Sequence, residues 1–204
     1  MAENDKDPKQ RIIVIGASTG GFEALNLILG GLKDALSATL IICQHIDKSA
    51  RLNYRMIFRE LSGFHLHEVE DKQRIMPGNI YFAPPGYHLY VESDGYFGLS
   101  LDALVNWSRP SIDVLFESAA RAYDRNVVGL LLTGANSDGV QGIREIKRLG
   151  GVTIAQDPLT ALAPMMPKMA IETGCVDHIA KIQDVAALLV KLINREQISC
   201  IGAL

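Results

Sequence analysis

The residues best suited to chemistry lie in three short polar stretches, each following an apolar run. The first is GASTGG at residues 16–21. The spacing Gly16-x-Ser18-x-Gly20 sets small residues on either side of a serine, so a strand can turn sharply into a helix and present the hydroxyl. The same loop fits a phosphate cradle, in which backbone N–H groups and the helix dipole favour an anion. Its spacing is not G-x-G-x-x-G, and no P-loop lysine follows. The second stretch is Gln44-His45, where a dinucleotide site would want an acid to hold the ribose. That difference favours catalysis over nucleotide binding. The third, TGANSDG at residues 133–139, carries Asp138. Together they supply a nucleophile, a base and an orienting carboxylate, the set that ester and amide hydrolysis requires. Each has a plainer reading: a serine helix cap, a structural histidine, a first-turn acid favoured by the dipole. Asp47, Asp113 and Asp157 also follow strand ends or open helices, and the sequence leaves the choice of carboxylate open.

These loops must be positioned by the elements around them. Residues 11–15, 39–43, 127–133, 152–155 and 175–179 are short apolar runs that read as strands. Helical spacing covers residues 22–32, 50–61, 139–149 and 185–194. Continuous apolar strands alternating with helices predict an α/β fold: one doubly wound, mostly parallel sheet with helices on both faces. Residues 64–91 and 96–101 differ, with short strand patterns broken by Pro77-Gly78 and Pro84-Pro85-Gly86. They are expected to form a hairpin-rich insertion. Ligands of such sheets bind at the carboxyl ends of the strands, where all three polar stretches fall.

The 204 residues are 48% hydrophobic and 21% charged, with net charge −3. That excludes a disordered chain and gives no sign of a nucleic-acid surface. No apolar run approaches a membrane span. Residues 1–10 read as a charged tail rather than a signal peptide, with the functional domain expected over residues 11–204. Cys43, Cys175 and Cys200 lack pairing or zinc spacing, so a reduced, cytoplasmic protein is expected.

Several segments together resemble the catalytic domain of the chemotaxis-receptor methylesterases, the protein-glutamate methylesterases of the CheB type. They are IGASTGG at 15–21, QH at 44–45, YFAPPGYH at 81–88, RPSIDVLF at 109–116 and LLTGANSDGVQG at 131–142. QDP…MPKMA, from 156 to 170, agrees as well. The resemblance implies a serine hydrolase with chain order Ser18…His45…Asp138, needing no metal or organic cofactor. It further implies removal of methyl esters from receptor glutamates with release of methanol, and allows deamidation of receptor glutamines. The expected partner is the methylated cytoplasmic domain of a chemoreceptor, with a separate response regulator or kinase component also allowed. Backbone N–H groups near His45 and Ala135 are expected to hold the oxyanion, with the Thr19 hydroxyl nearby and Gly20 in the same pocket. The family's aspartate loop usually reads T-G-M-G-N-D-G; here Ala135 replaces the methionine, and Asn136-Ser137 the Gly-Asn pair. The family normally carries an N-terminal receiver domain, which ten residues of tail would not contain. An excised domain or a stand-alone enzyme is therefore expected.

Arg51, Arg55 and Arg59 recur at i, i+4, i+8 and would form a basic stripe on one helix, suited to an acidic receptor helix or simply a solvated face. His65 and His67 share a strand face but lack a third ligand at convincing spacing. Met165, Met166 and Met169 read as core or pocket wall, Cys43 as inert packing, and Ser111 as a helix cap. The competing reading is a non-catalytic module that binds receptor, or binds phosphate or nucleotide through GASTGG.

Overall fold

Two runs rich in β-branched residues, IIVIGA and TLIICQ, form β1 (Ile12–Ala17) and β2 (Thr39–Gln44), buried at every position. The computed structural model describes residues 11–32, 38–58 and 65–199. Within them the remaining strands are β3 (His65–Glu68), β4 (Asn79–Phe82), β5 (His88–Val91), β6 (Phe97–Ser100), β7 (Val127–Leu131), β8 (Val152–Gln156) and β9 (His178–Ala180). The helices are α1 (Gly21–Leu32), α2 (Tyr54–Ile57), α3 (Ile112–Tyr123), α4 (Val140–Arg148), α5 (Met165–Glu172) and α6 (Val185–Ser199).

A seven-stranded sheet runs in the order β3-β4-β2-β1-β7-β8-β9, and every pairing in it is parallel. Alternation along β1 feeds two cores. Ile13, Ile15 and Ala17 pack with α1 and α6 on one face, while Ile12 and Val14 pack with α3, α4 and α5 on the other. Strand order reverses at β1, which has β2 on one side and β7 on the other. Such a reversal opens a crevice beyond the carboxyl ends, where the adjoining loops diverge.

Two expectations change around the β3–β4 edge of the sheet. Of the predicted insertion, only β5 and β6 form an antiparallel hairpin; β3 and β4 extend the parallel sheet instead. A four-residue apolar strand reads alike in either setting. The stretch from Glu68 to Asn79 is a crossover between parallel neighbours, not a tight turn. Of the helix expected over 50–61, the described residues, which reach Phe58, form the single turn α2, capped by the Asn53 side chain accepting from Met56 N–H. Arg51 therefore lies before the helix, exposed, with its guanidinium turned back onto the Ala50 carbonyl. The expected stripe thus loses its first member from the helix, while Arg59, like residues 1–10, lies outside the described residues.

Candidate active site

Ser18 is held by its own backbone. Its N–H donates to Thr133 O at 2.9 Å, bridging the ends of β1 and β7. Its carbonyl accepts from Gly21 N–H and from Gln44 Nε2, both at 2.9 Å. The Gly21 bond closes a tight turn whose third residue, Gly20, has φ 79°, a conformation open chiefly to glycine. A Cβ on Gly21 would run into the Gln44 amide and Ala17. The Ser18 and Gly21 N–H groups are thereby taken up within the fold.

His45 follows β2, its N–H extending the ladder to Ala17 O. Its ring nitrogens meet Ser18 Oγ and Asp138 on opposite sides. Nε2 lies 2.8 Å from Asp138 Oδ2, and Nδ1 lies 3.2 Å from Ser18 Oγ. An ionised carboxylate only accepts, so the neutral imidazole carries its proton on Nε2 and leaves Nδ1 to accept the Ser18 hydroxyl. Asp138 is fully buried and His45 largely so.

Asp138 lies against the start of α3. Ile112 N–H donates to Oδ2 at 2.7 Å; Ser111 Oγ (2.8 Å), Asn106 Nδ2 (2.9 Å), Asp113 N–H and Gly139 N–H (both 3.2 Å) donate to Oδ1. Those amides are among the donors a helix start leaves without partners in its own ladder. α3 reaches the sheet because Gly16 has no side chain; a Cβ there would strike Ile112. Burial pushes the Asp138 carboxyl up, but hydrogen bonds from His45, Asn106 and Ile112 outweigh it and hold the group below the usual carboxylate range.

Of the rival carboxylates, Asp47 binds Ser49 at the surface and Asp157 caps a short turn through Leu159 N–H. Asp113 is buried beside the site. Its Oδ1 accepts from Gly142 N–H and its Oδ2 from Asn106 Nδ2, both at 2.8 Å. Burial is the main reason that its carboxyl is pushed up to about 6, the Asp138 charge adding to the effect. Among the rivals, Asp138 is the one hydrogen-bonded to His45. Ser111 caps α3, as expected, and also serves Asp138. Asn106 escaped the sequence reading, and Gln44 entered it only as the neighbour of His45, because an amide that bridges distant loops has no local spacing signal.

Thr19 and Ala135 lie exposed at the mouth, with Gly20 partly covered by Leu162. A cleft of about 380 Å³ beside His45 is bounded by Ile46, Lys48, Leu104, Trp107 and Pro110. Trp107 is 94% exposed. His67 is taken up by Asn79 Oδ1 and the Tyr81 ring. Met166 is core, whereas Met165 is exposed. Burial holds the Cys43 thiol well above its usual value, in keeping with inert packing.

A parallel α/β sheet with a serine, a histidine and a buried aspartate in one hydrogen-bonded line has the geometry of a serine hydrolase. The CheB methylesterase family matches residues 13–189, and the chain belongs to that family. A Leptospira interrogans protein, provisionally named a protein-glutamate methylesterase/protein-glutamine glutaminase, is 43% identical over 180 residues, covering 88% of this chain and 93% of its own. Protein-glutamate methylesterase/protein-glutamine glutaminase 2 of Pseudomonas aeruginosa is 37% identical over 185 residues. That match takes in 89% of this chain and 53% of the Pseudomonas protein. The crystal structure of the Thermotoga maritima CheB methylesterase catalytic domain superposes with TM-score 0.85 at 31% identity, covering 90% of this chain and 98% of that one.

Proposed function

We propose that this chain hydrolyses methyl esters of glutamate side chains on chemoreceptors, with Ser18 as nucleophile, His45 as general base and acid, and Asp138 as orienting carboxylate. The observation that carries this reading is the continuous line from Ser18 Oγ through His45 to Asp138 at 3.2 and 2.8 Å. Ser18 Oγ attacks the ester carbonyl while its proton passes to His45 Nδ1. The imidazolium, stabilised by Asp138, then protonates the departing methanol. Water, giving its proton to the same nitrogen, releases the glutamyl acid and restores the serine. Backbone N–H groups of Thr19, Gly20 and Ala135 are the candidates to hold the oxyanion. The His45 N–H is spent on Ala17 O and that of Gly134 on Ala163 O.

Glutamine deamidation follows the same path with ammonia leaving, and the relatives' names support it as a second activity. The partner is the cytoplasmic part of a methylated receptor, in the same compartment, with a response regulator or kinase component as the source of control. No helix among the described residues is long and apolar enough to cross a membrane.

Methanol release from a methylated receptor fragment tests the reading. Wild type is expected to release it, Ser18→Ala to release none, and Asp138→Asn to fall by about 10⁴-fold through the wrong imidazole tautomer. Unchanged release in Ser18→Ala would overturn the assignment.

A further inference from the structure

The buried carboxylate beside the catalytic line has no part in the mechanism above, yet it lies close enough to disturb it. One nitrogen, Asn106 Nδ2, donates to Asp138 Oδ1 at 2.9 Å and to Asp113 Oδ2 at 2.8 Å. Both carboxylates are buried, Asp138 at 0% and Asp113 at 5% exposure. Two like charges that close in a poorly hydrated site cannot both remain ionised unless donors stand between them. Asn106 is the side chain placed to do so.

The backbone supports this placement. Asn106 and Trp107 form a two-residue turn closed by paired hydrogen bonds between Val105 and Ser108. Both residues have positive φ, 49° and 62°. Asparagine tolerates that region and tryptophan does so at a cost. The turn sends the Asn106 amide inward onto the two acids and leaves Trp107 in solvent.

Resting on the assignment of Ser18, His45 and Asp138, we infer that Asn106 is a positioning residue that keeps Asp113 and Asp138 apart electrically, so that Asp138 acts solely as an acceptor for His45. Asp113 is the group that answers when Asn106 is removed. Solvent reaches it through a cleft of about 310 Å³ that it shares with Asn106, Ser137, Gln141, Arg144 and Glu172. Glu117, one turn further along α3, Asp138 and, across the cleft, Glu172 are the negative charges around it, with Arg144 the positive one in the cleft. With the amide gone, a protonated Asp113 can donate to Asp138 Oδ1 in its place, whereas an ionised Asp113 repels it.

The test uses the full chain in three forms: Asn106→Ala, Asp113→Asn and the double variant. Methanol release and the rate of Ser18 labelling by a fluorophosphonate are followed against pH. Asn106→Ala is expected to lose about 10- to 100-fold in kcat, the size of one hydrogen bond to a charged group, with KM little changed. Its activity is expected to gain an alkaline limb, falling as Asp113 ionises. Adding Asp113→Asn removes that charge and supplies a new amide donor, so the double variant should exceed Asn106→Ala in kcat and lose the limb. A loss confined to KM, an unaltered pH profile, or a double variant at or below the single would overturn the inference. A Ser18 that neither labels nor turns over in the wild type would instead overturn the hydrolase reading on which it rests. If Asn106→Ala fails to fold, the double variant's own profile still decides, since a limb persisting without Asp113's charge would exclude its role.

Discussion

Six donors surround Asp138: the His45 ring, the Ser111 hydroxyl, the Asn106 amide, and the backbone N–H groups of Ile112, Asp113 and Gly139. Each favours the charged carboxylate, and together they offset the cost of burying it. Removing one should therefore weaken the line rather than break it. Ser111→Ala takes away the hydroxyl on Oδ1 and the α3 cap while leaving the His45 contact on Oδ2. It is expected to cost about 1 kcal/mol in stability and up to about 10-fold in kcat, far less than Asp138→Asn. Denaturant melts and methanol release measure the two losses separately. A loss as large as that of Asp138→Asn would mean that Ser111, not the wider donor shell, fixes the carboxylate. The serine, histidine and aspartate were legible because each has a type and a loop position that chemistry demands. Asn106 was not: a turn asparagine is an ordinary turn residue until the fold shows which acids its amide reaches.

At the scale of elements, the strands of the sheet centre were legible because burial on both faces leaves an unbroken apolar run, as in β1, β2, β7 and β8. β9 was displaced from its expected residues because Thr153 Oγ1 takes the Cys175 carbonyl and Thr173 Oγ1 takes the Cys175 N–H, drawing that residue off the strand. The helix that mattered most, α3, was foreseen only through its cap, because sequence cannot reveal that Gly16 lets its first turn descend onto β1. That descent also buries Asp113, with a consequence for stability. Its carboxyl titrates near the usual aspartate value in the unfolded chain and at about 6 when folded. The folded state therefore binds the extra proton between those values. Stability from this group is full below the unfolded value and lost as pH rises through about 6. Relative to wild type, Asp113→Asn should gain up to about 3 kcal/mol between pH 4 and pH 7, read from urea midpoints. Parallel stability curves for the two proteins would refute the shift.

Over the whole molecule the sheet divides the protein into two cores, and the proposed chemistry depends on them unequally. Ser18 and His45 extend from strand ends shared by both faces, whereas Asp138 is gripped by α3, which belongs to one face alone. Leu189 of α6 is fully buried in the opposite core. Leu189→Ala should cost about 2–5 kcal/mol, by lost transfer energy and a cavity, without moving α3. Phe116 of α3 is equally buried, packed where a Cβ on Gly142 would strike it. Phe116→Ala should cost about 3–5 kcal/mol and also loosen the α3–α4 contact that fixes Ile112 N–H and Asp113 against the site. A shift of about 1 Å in a catalytic group can cost about 100-fold in rate, so the two variants should part in activity. Measured on fully folded protein and normalised to Ser18 labelling, kcat should stay near wild type for Leu189→Ala and fall at least about 10-fold for Phe116→Ala. Equal kcat in two equally destabilised variants would mean that α3 serves the site only by being folded. Unequal kcat would locate the control of Asp138 in the face that α3 and α4 share.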